Sequence, residues 1–171
     1  MMQTDVKSGQ SSVNGQMVLG RTRLKGFSAA TGISGIFTFW NSTTAPVSSG
    51  SYTRTTTVIT VSSTTHGLVV GQKVGLQFAV VSSNSATSGN YTVATVADAN
   101  TFTVVDANSG TVNSGGVTYV ASSTGFSPWM FTYQAGAVAT NAFLSFPGEG
   151  IVADVGIYVN GTFSSVTIFY G

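Results

Sequence analysis

Ile151-Val152-Ala153-Asp154-Val155-Gly156-Ile157-Tyr158-Val159 decides the fold: every second residue, from Ile151 through Ala153, Val155 and Ile157 to Val159, is apolar. Successive side chains of a strand point to opposite faces, so these five line one side of a half-buried β-strand. The same alternation runs through Val74, Leu76, Phe78 and Val80, and places Phe102 and Val104 between Thr101 and Thr103. Helical signals are almost absent, because 21 glycines and many Thr and Val residues interrupt every window long enough for three helical turns. The expected class is all-β: an antiparallel β-sandwich or jelly-roll-like base with a small inserted β-barrel or sandwich module.

Turn chemistry supports this reading. Asp98-Ala99-Asn100 separates Tyr91–Val96 from Phe102–Val105, and its Asp and Asn side chains are suited to bonding local backbone, so a hairpin is expected there. Pro147-Gly148 supplies the preset φ and the positive φ of a type II turn ahead of the last two strands.

Two Ser/Gly/Thr stretches, Ser42 to Ser51 and Ser122 to Ser127, divide the chain. The flanks hold both tryptophans and most phenylalanines, whereas Tyr52 to Ala121 is dominated by Thr, Val, Ser and Asn. We therefore expect a discontinuous base of residues 1–49 and 124–171, with residues 50–123 inserted in one of its loops. Insertion is best tolerated at an exposed turn between neighbouring strands, so Ile36–Trp40 and Trp129–Tyr133 should lie side by side in one sheet. Residues 1–15 are polar and read as a frayed terminus or an arm that orders on a neighbour.

Charged residues make up only 6% of the chain, against about 25% in ordinary soluble proteins, and the net charge is +1. No long-range field exists to attract nucleic acid or anionic lipid. A surface of Ser, Thr, Asn and Gly also opposes self-association weakly, which suits permanent assembly. Cysteine is absent, so a disulfide framework and a thiolate metal site are both excluded. No run approaches about 18 apolar residues, and Met1 to Val13 lacks an apolar run after a basic stretch; neither a membrane span nor a signal peptide is expected.

The middle segment reads Thr65-His66-Gly67-Leu68-Val69-Val70-Gly71-Gln72-Lys73-Val74, followed by Ser88-Gly89-Asn90-Tyr91-Thr92-Val93 and Asp98-Ala99-Asn100-Thr101-Phe102-Thr103-Val104. It resembles the small "HGL…VGD.V" β module recurrent in phage tail, fibre and other virion proteins, with Gln72 where an Asp is usual. The flanks, with Gly20-Arg21-Thr22-Arg23-Leu24-Lys25-Gly26 and Phe146-Pro147-Gly148-Glu149-Gly150-Ile151 leading to Val166-Thr167-Ile168-Phe169-Tyr170-Gly171, resemble short structural proteins of marine and cyanobacterial phages. The resemblance implies a virion component of a tailed bacteriophage, with capsid or tail proteins as partners. By analogy with phage appendages it also implies a homo-oligomer, with a trimer favoured.

Candidate sites are few. His66 is the only histidine, and in Thr-His-Gly-Leu it is expected to bond turn backbone while Gly67 takes the unusual dihedral. Asp98, Asn100, Pro147 and Gly148 are likewise expected as turn formers. A glycosidase needs two carboxylates about 5–9 Å apart across a cleft. Of Asp5, Asp98, Asp106, Glu149 and Asp154, only the last two are close in sequence, and they belong to a turn and to the outward side of the Ile151 row. No enzyme, metal or cofactor is expected.

Arg21, Arg23 and Lys25 hold half of all the positive charge within about 14 Å of strand. They form either a docking edge for an acidic surface or a solvated edge that discourages strand pairing. Trp129, Phe131 and Tyr133 alternate on one strand, and Ile36, Thr38 and Trp40 on another; such rows are core more often than contact surface, but Trp40 and Trp129 are candidate interface residues. The functional expectation is a structural protein located on the virion: a capsid decoration or surface-projecting protein, anchored by its base with the insertion outward. The alternatives are a tail, fibre or baseplate component, or a module that binds host-surface glycan.

Overall fold

The structure, a computed structural model, describes residues 6–31, 35–134 and 140–171. The described residues contain fourteen strands and no helix. The chain divides into two compact units, residues 1–45 with 130–171 and residues 46–129, the second inserted in the first by chain order. The boundaries thus fall at 45/46 and 129/130 instead of 49/50 and 123/124. Part of the expected Ser42–Ser51 linker is strand, because Val47, Gly50 and Ser51 pair with Tyr119, Val117 and Gly116. Ladder hydrogen bonds outweigh a Ser-rich composition there.

The base is a sandwich of two sheets. One has the order β1 (Lys7–Ser11), β14 (Ser165–Tyr170), β3 (Thr22–Thr31), β11 (Thr140–Ser145), with β12 (Ile151–Ala153) also on β3. The other has the order β10 (Trp129–Gln134), β4 (Ile36–Asn41), β13 (Gly156–Gly161), β2 (Gly15–Leu19). β4 and β10 are therefore neighbours, as an insertion between adjacent strands requires. Lys7–Ser11 is not a free arm: it pairs antiparallel with β14 along its length, from Lys7 opposite Tyr170 to Ser11 opposite Val166. Met1 to Asp5 lie outside the described residues.

The Ile151–Val159 row is core at Ala153, Ile157 and Val159, each fully buried, but it belongs to two strands. β12 pairs with β3 in one sheet and β13 with β2 and β4 in the other, so the chain turns the corner of the sandwich at Asp154 and Val155. Gly156 permits the corner. Its φ is +153°, and a Cβ there would meet the Val18 carbonyl oxygen at 2.6 Å.

Between the sheets lies an aromatic core. Phe27 of β3 touches Phe37, Phe39, Phe131 and Tyr133, with centroid separations of 5.3 to 5.7 Å. Phe163 and Phe146 extend the cluster through Phe37 and Phe131. Edge-on and tilted contacts at these distances are favourable beyond the area they bury. Both faces of β4 are buried: Phe37 and Phe39 enter this core, while Thr38 and Trp40 on the other face are also fully enclosed.

The inserted unit is one bent sheet in the order β5 (Val47–Ser62), β9 (Thr101–Ala121), β6 (Lys73–Phe78), β7 (Gly89–Thr92), with β8 (Thr95–Asp98) also on β9. β9 is the spine. Its first part pairs with β8 and its last with β6, while β5 follows nearly all of its other side. Tyr52, Ile59, Val61, Val74, Leu76, Phe78, Phe102 and Val104 fill a core of its own. Gly115 makes room for it, since a Cβ there would meet the Tyr52 ring at 2.3 Å. Val80 departs from expectation: β6 ends at Phe78, and Val80 is 84% exposed. Tyr91–Val96, read as one strand, is split into β7 and β8, which pair with different partners.

Candidate functional site

The recognisable motif of the insertion is a turn scaffold. Val69 to Gln72 close a type II turn: the Gln72 N–H donates to the Val69 carbonyl at 3.1 Å, and Gly71 takes φ +86°. The Gln72 side chain accepts from the Val69 N–H at 3.1 Å and donates to the Ser122 carbonyl at 2.9 Å. An ionised Asp at this position could accept from Val69 but has no donor for the Ser122 carbonyl.

His66 is bonded on both ring nitrogens. Nδ1 accepts from the Leu68 N–H at 3.0 Å, which fixes the proton on Nε2, and Nε2 donates to the Asp98 carbonyl at 3.1 Å. The ring also meets Phe102 edge-on at 5.0 Å. Gly67 has φ +64°, Asp98 Oδ1 accepts from the Asn100 N–H at 2.7 Å, and Asn100 Oδ1 accepts from the Thr65 N–H at 2.8 Å. The four residues thus tie two loops together. His66→Ala should lower the stability of the insertion by about 1–2 kcal/mol, whereas His66→Asn, whose Oδ1 stands where Nδ1 was, should recover about half. Urea unfolding of the three chains checks this, and equal losses in both variants would count against the Leu68 bond. Pro147 precedes Gly148 at φ +64°, the turn geometry expected before β12.

Sequence reading passed over Arg54 and weighed Asp106 only as a carboxylate without a near neighbour; the two are 2% and 3% exposed and carry a dense polar network of the insertion. Arg54 Nε donates to the Thr56 carbonyl at 3.1 Å, and Nη1 to those of Asn84 at 2.9 Å and Ser85 at 3.0 Å. Nη2 donates to the Asn108 carbonyl and lies 3.4 Å from Asp106 Oδ2. Asp106 also accepts from the Thr87 N–H at 2.9 Å and the Asn108 N–H at 3.1 Å. All five guanidinium N–H groups therefore face an oxygen. The pair joins the loops around 82–87 and 106–108 to β5. The signal was alternation itself: Arg54 is two places after Tyr52, and Asp106 continues Phe102 and Val104, so each stands on an inward position.

Beside this pair, Thr87 to Thr92 and Val105 to Asn108 line an open depression of about 520 Å³. Its aromatic, Tyr91, donates its hydroxyl to the Thr87 carbonyl. Burial first, and the Asp106 carboxylate second, push its phenol up from 10.0 to about 12, while Arg54 pulls the other way. The neutral phenol's contribution is whole below pH 10.0 and is lost as pH rises to about 12. Stability of the insertion should fall across that window, and Tyr91→Phe should flatten the fall; identical alkaline profiles for the two chains would contradict the assignment.

In the base, the three clustered cations have partners within the chain. Arg21 Nε lies 3.7 Å from Asp154, Arg23 Nε lies 3.6 Å from Glu149, and Lys25 Nζ donates to the Glu149 carbonyl at 3.1 Å. Arg21 precedes β3, which starts at Thr22 after a turn at Gly20 with φ +84°. The three do not form one strand face of unopposed charge, and such exposed pairs contribute about 0–1 kcal/mol each. Glu149 and Asp154 each face their own arginine. Asn41 adds order at the corner, accepting from the Val155 N–H at 3.0 Å and donating to Asp154 at 3.4 Å.

Trp40 is fully buried, so it is not an interface residue in this fold. Trp129 is half-buried, and its backbone is held by the Asn90 side chain, with bonds of 2.8 Å to its N–H and 2.7 Å from its carbonyl. Phe131 and Tyr133 pack into the aromatic core. Among the described residues no three His, Cys, Asp or Glu side chains converge on a metal-sized site.

Fold and site together define an all-β protein of two separately cored units, in which a turn-stabilised β module interrupts a sandwich. Comparison with protein-family models, curated proteins and solved structures finds no match.

Proposed function

We propose that this chain is a structural component of a tailed-bacteriophage virion, a capsid-associated decoration protein whose base anchors it and whose insertion faces outward. The observation that carries the reading is the insertion of a self-cored β unit, built on the His66–Gln72 turn scaffold, between adjacent strands of a nearly uncharged sandwich. That scaffold is made of the residues by which the segment resembles phage virion modules. Its bonded side chains serve rigidity, which suits a projecting part.

Anchoring rests on apolar and backbone contacts, because the base carries few surface charges and its two arginines are paired with Asp154 and Glu149. Many copies on a lattice bind avidly even when each contact is modest. The protein should therefore remain on banded particles when they are washed from low salt to about 1 M, where the screening length falls to about 3 Å. Release by salt would contradict the anchor, and absence from the particles would contradict the placement.

A second reading, recognition of host-surface glycan, has one feature in its favour: the open depression beside Tyr91, edged by Asn90, Asn108 and Thr87. Binding to a glycan array that is abolished by Asn90→Ala and Asn108→Ala would favour it.

A further inference from the structure

We propose that the outer edge of β11 is a two-fold self-association strand, in which residues 141–145 of one copy pair antiparallel with the same residues of a second copy and Phe143 stands opposite Phe143. The inference holds whether or not the protein belongs to a virion.

β11 ends its sheet. Its only ladder among the described residues is with β3, in unbroken register from Thr140 opposite Thr31 to Ser145 opposite Gly26. The other side of the strand carries backbone N–H and C=O groups with no ladder partner among those residues. Proteins usually blunt such an edge with a lysine, a proline or a bulge. β1 carries Lys7, and β2 is bulged against β13. Thr140-Asn141-Ala142-Phe143-Leu144-Ser145 has none of these.

Instead the strand displays apolar surface. Phe143 is 71% exposed and Leu144 40%, and the Phe143 ring lies 6.0 Å from that of Phe169 on β14. The paired segments themselves are uncharged: no residue in 26–53 or 107–148 is charged, which covers β11 and the part of β3 it pairs with, and Lys25 and Glu149 lie just beyond the Ser145 end. A second copy thus meets no charged side chain along the residues that pair.

The strand is also its own complement. A two-fold axis through Phe143 keeps the faces of both sheets continuous, since paired positions then share parity. It sets Asn141 against Ser145 and Phe143 against Phe143 outside, with Ala142 against Leu144 inside. A cross-strand aromatic pair is among the more stabilising sheet contacts. Extending a sheet through one short strand buries little area, so a weak, concentration-dependent dimer is the expected product. This contact is two-fold, whereas the resemblance implies a trimer.

The test uses the full chain in sedimentation velocity from micromolar to millimolar concentration. A monomer–dimer equilibrium is expected, with Kd raised at least about tenfold by Phe143→Lys, as for loss of an interface anchor, and unchanged by Val80→Lys, an equally exposed site in the other unit. Register is read separately with Phe143 intact. An equimolar mixture of Asn141→Cys and Ser145→Cys chains should form the mixed disulfide under mild oxidation, while either chain alone should not, because like positions lie about 14 Å apart in this pairing. A monomer at every concentration, a dimer indifferent to Phe143→Lys, or no preference for the mixed disulfide would overturn the proposal.

Discussion

Arg54→Met should lower the unfolding free energy of the inserted unit by about 3–5 kcal/mol, the usual cost of removing one partner from a buried ion pair. The loss follows from what stays behind. Asp106 keeps its two backbone donors but loses its only cation, and the carbonyls of Thr56, Asn84, Ser85 and Asn108 lose their donor in a place where the guanidinium itself is 2% exposed. A buried polar group stripped of its partner costs about 1–3 kcal/mol, so incomplete entry of water already accounts for a loss of this size. Arg54→Lys should recover little, since an ammonium offers three donors from one point where five in a planar fork are used. Hydrogen exchange should place the damage in the segments around 54–58, 82–88 and 105–110. A change below about 1 kcal/mol would mean that solvent replaces the guanidinium without penalty.

Phe27→Ala should cost the base about 3–5 kcal/mol, the range for truncating a fully buried phenylalanine. Four rings from the opposite sheet close on Phe27, so the resulting void is bounded by Phe37, Phe39, Phe131 and Tyr133 and cannot collapse without moving β4 or β10. Phe27→Leu should cost about half as much, since it keeps most of the volume. Thermal unfolding followed by exchange in β3 and β14 measures the effect. Equal losses for Leu and Ala would show that ring geometry, rather than volume, holds the core.

The class of fold was legible because period-two alternation is a local property of strands, and Phe102, Val104, Ala153, Ile157 and Val159 sit inside as their pattern requires. What alternation cannot report is which sheet a strand joins. The Ile151–Val159 row keeps its inward face while changing sheets at Gly156, and Val47 to Ser51 form strand in spite of their composition because β9 supplies a ladder. Trp40 escaped the pattern because both faces of β4 are covered.

The site was legible in part. His66, Asp98 and Asn100 are bonded into turns as the local chemistry of Thr-His-Gly-Leu and Asp-Ala-Asn suggests. The pairing of Arg54 with Asp106 was missed because they lie 52 residues apart and meet only in the folded sheet, although their inward positions in alternating strands were visible. The cluster of Arg21, Arg23 and Lys25 was visible, and the pairing of its two arginines with Asp154 and Glu149 was not. That pairing depends on β12 lying against β3.

The proposed place of the molecule is tested most directly by imaging intact particles of a tailed phage whose genome carries this sequence, with Fab fragments, one raised against residues 50–123 and one against the base. The account predicts regularly spaced density from the first Fab on intact particles, and density from the second only after the particles are dissociated. Labelling by the base Fab alone would reverse the orientation, and particles that bind neither Fab before or after dissociation would contradict the account.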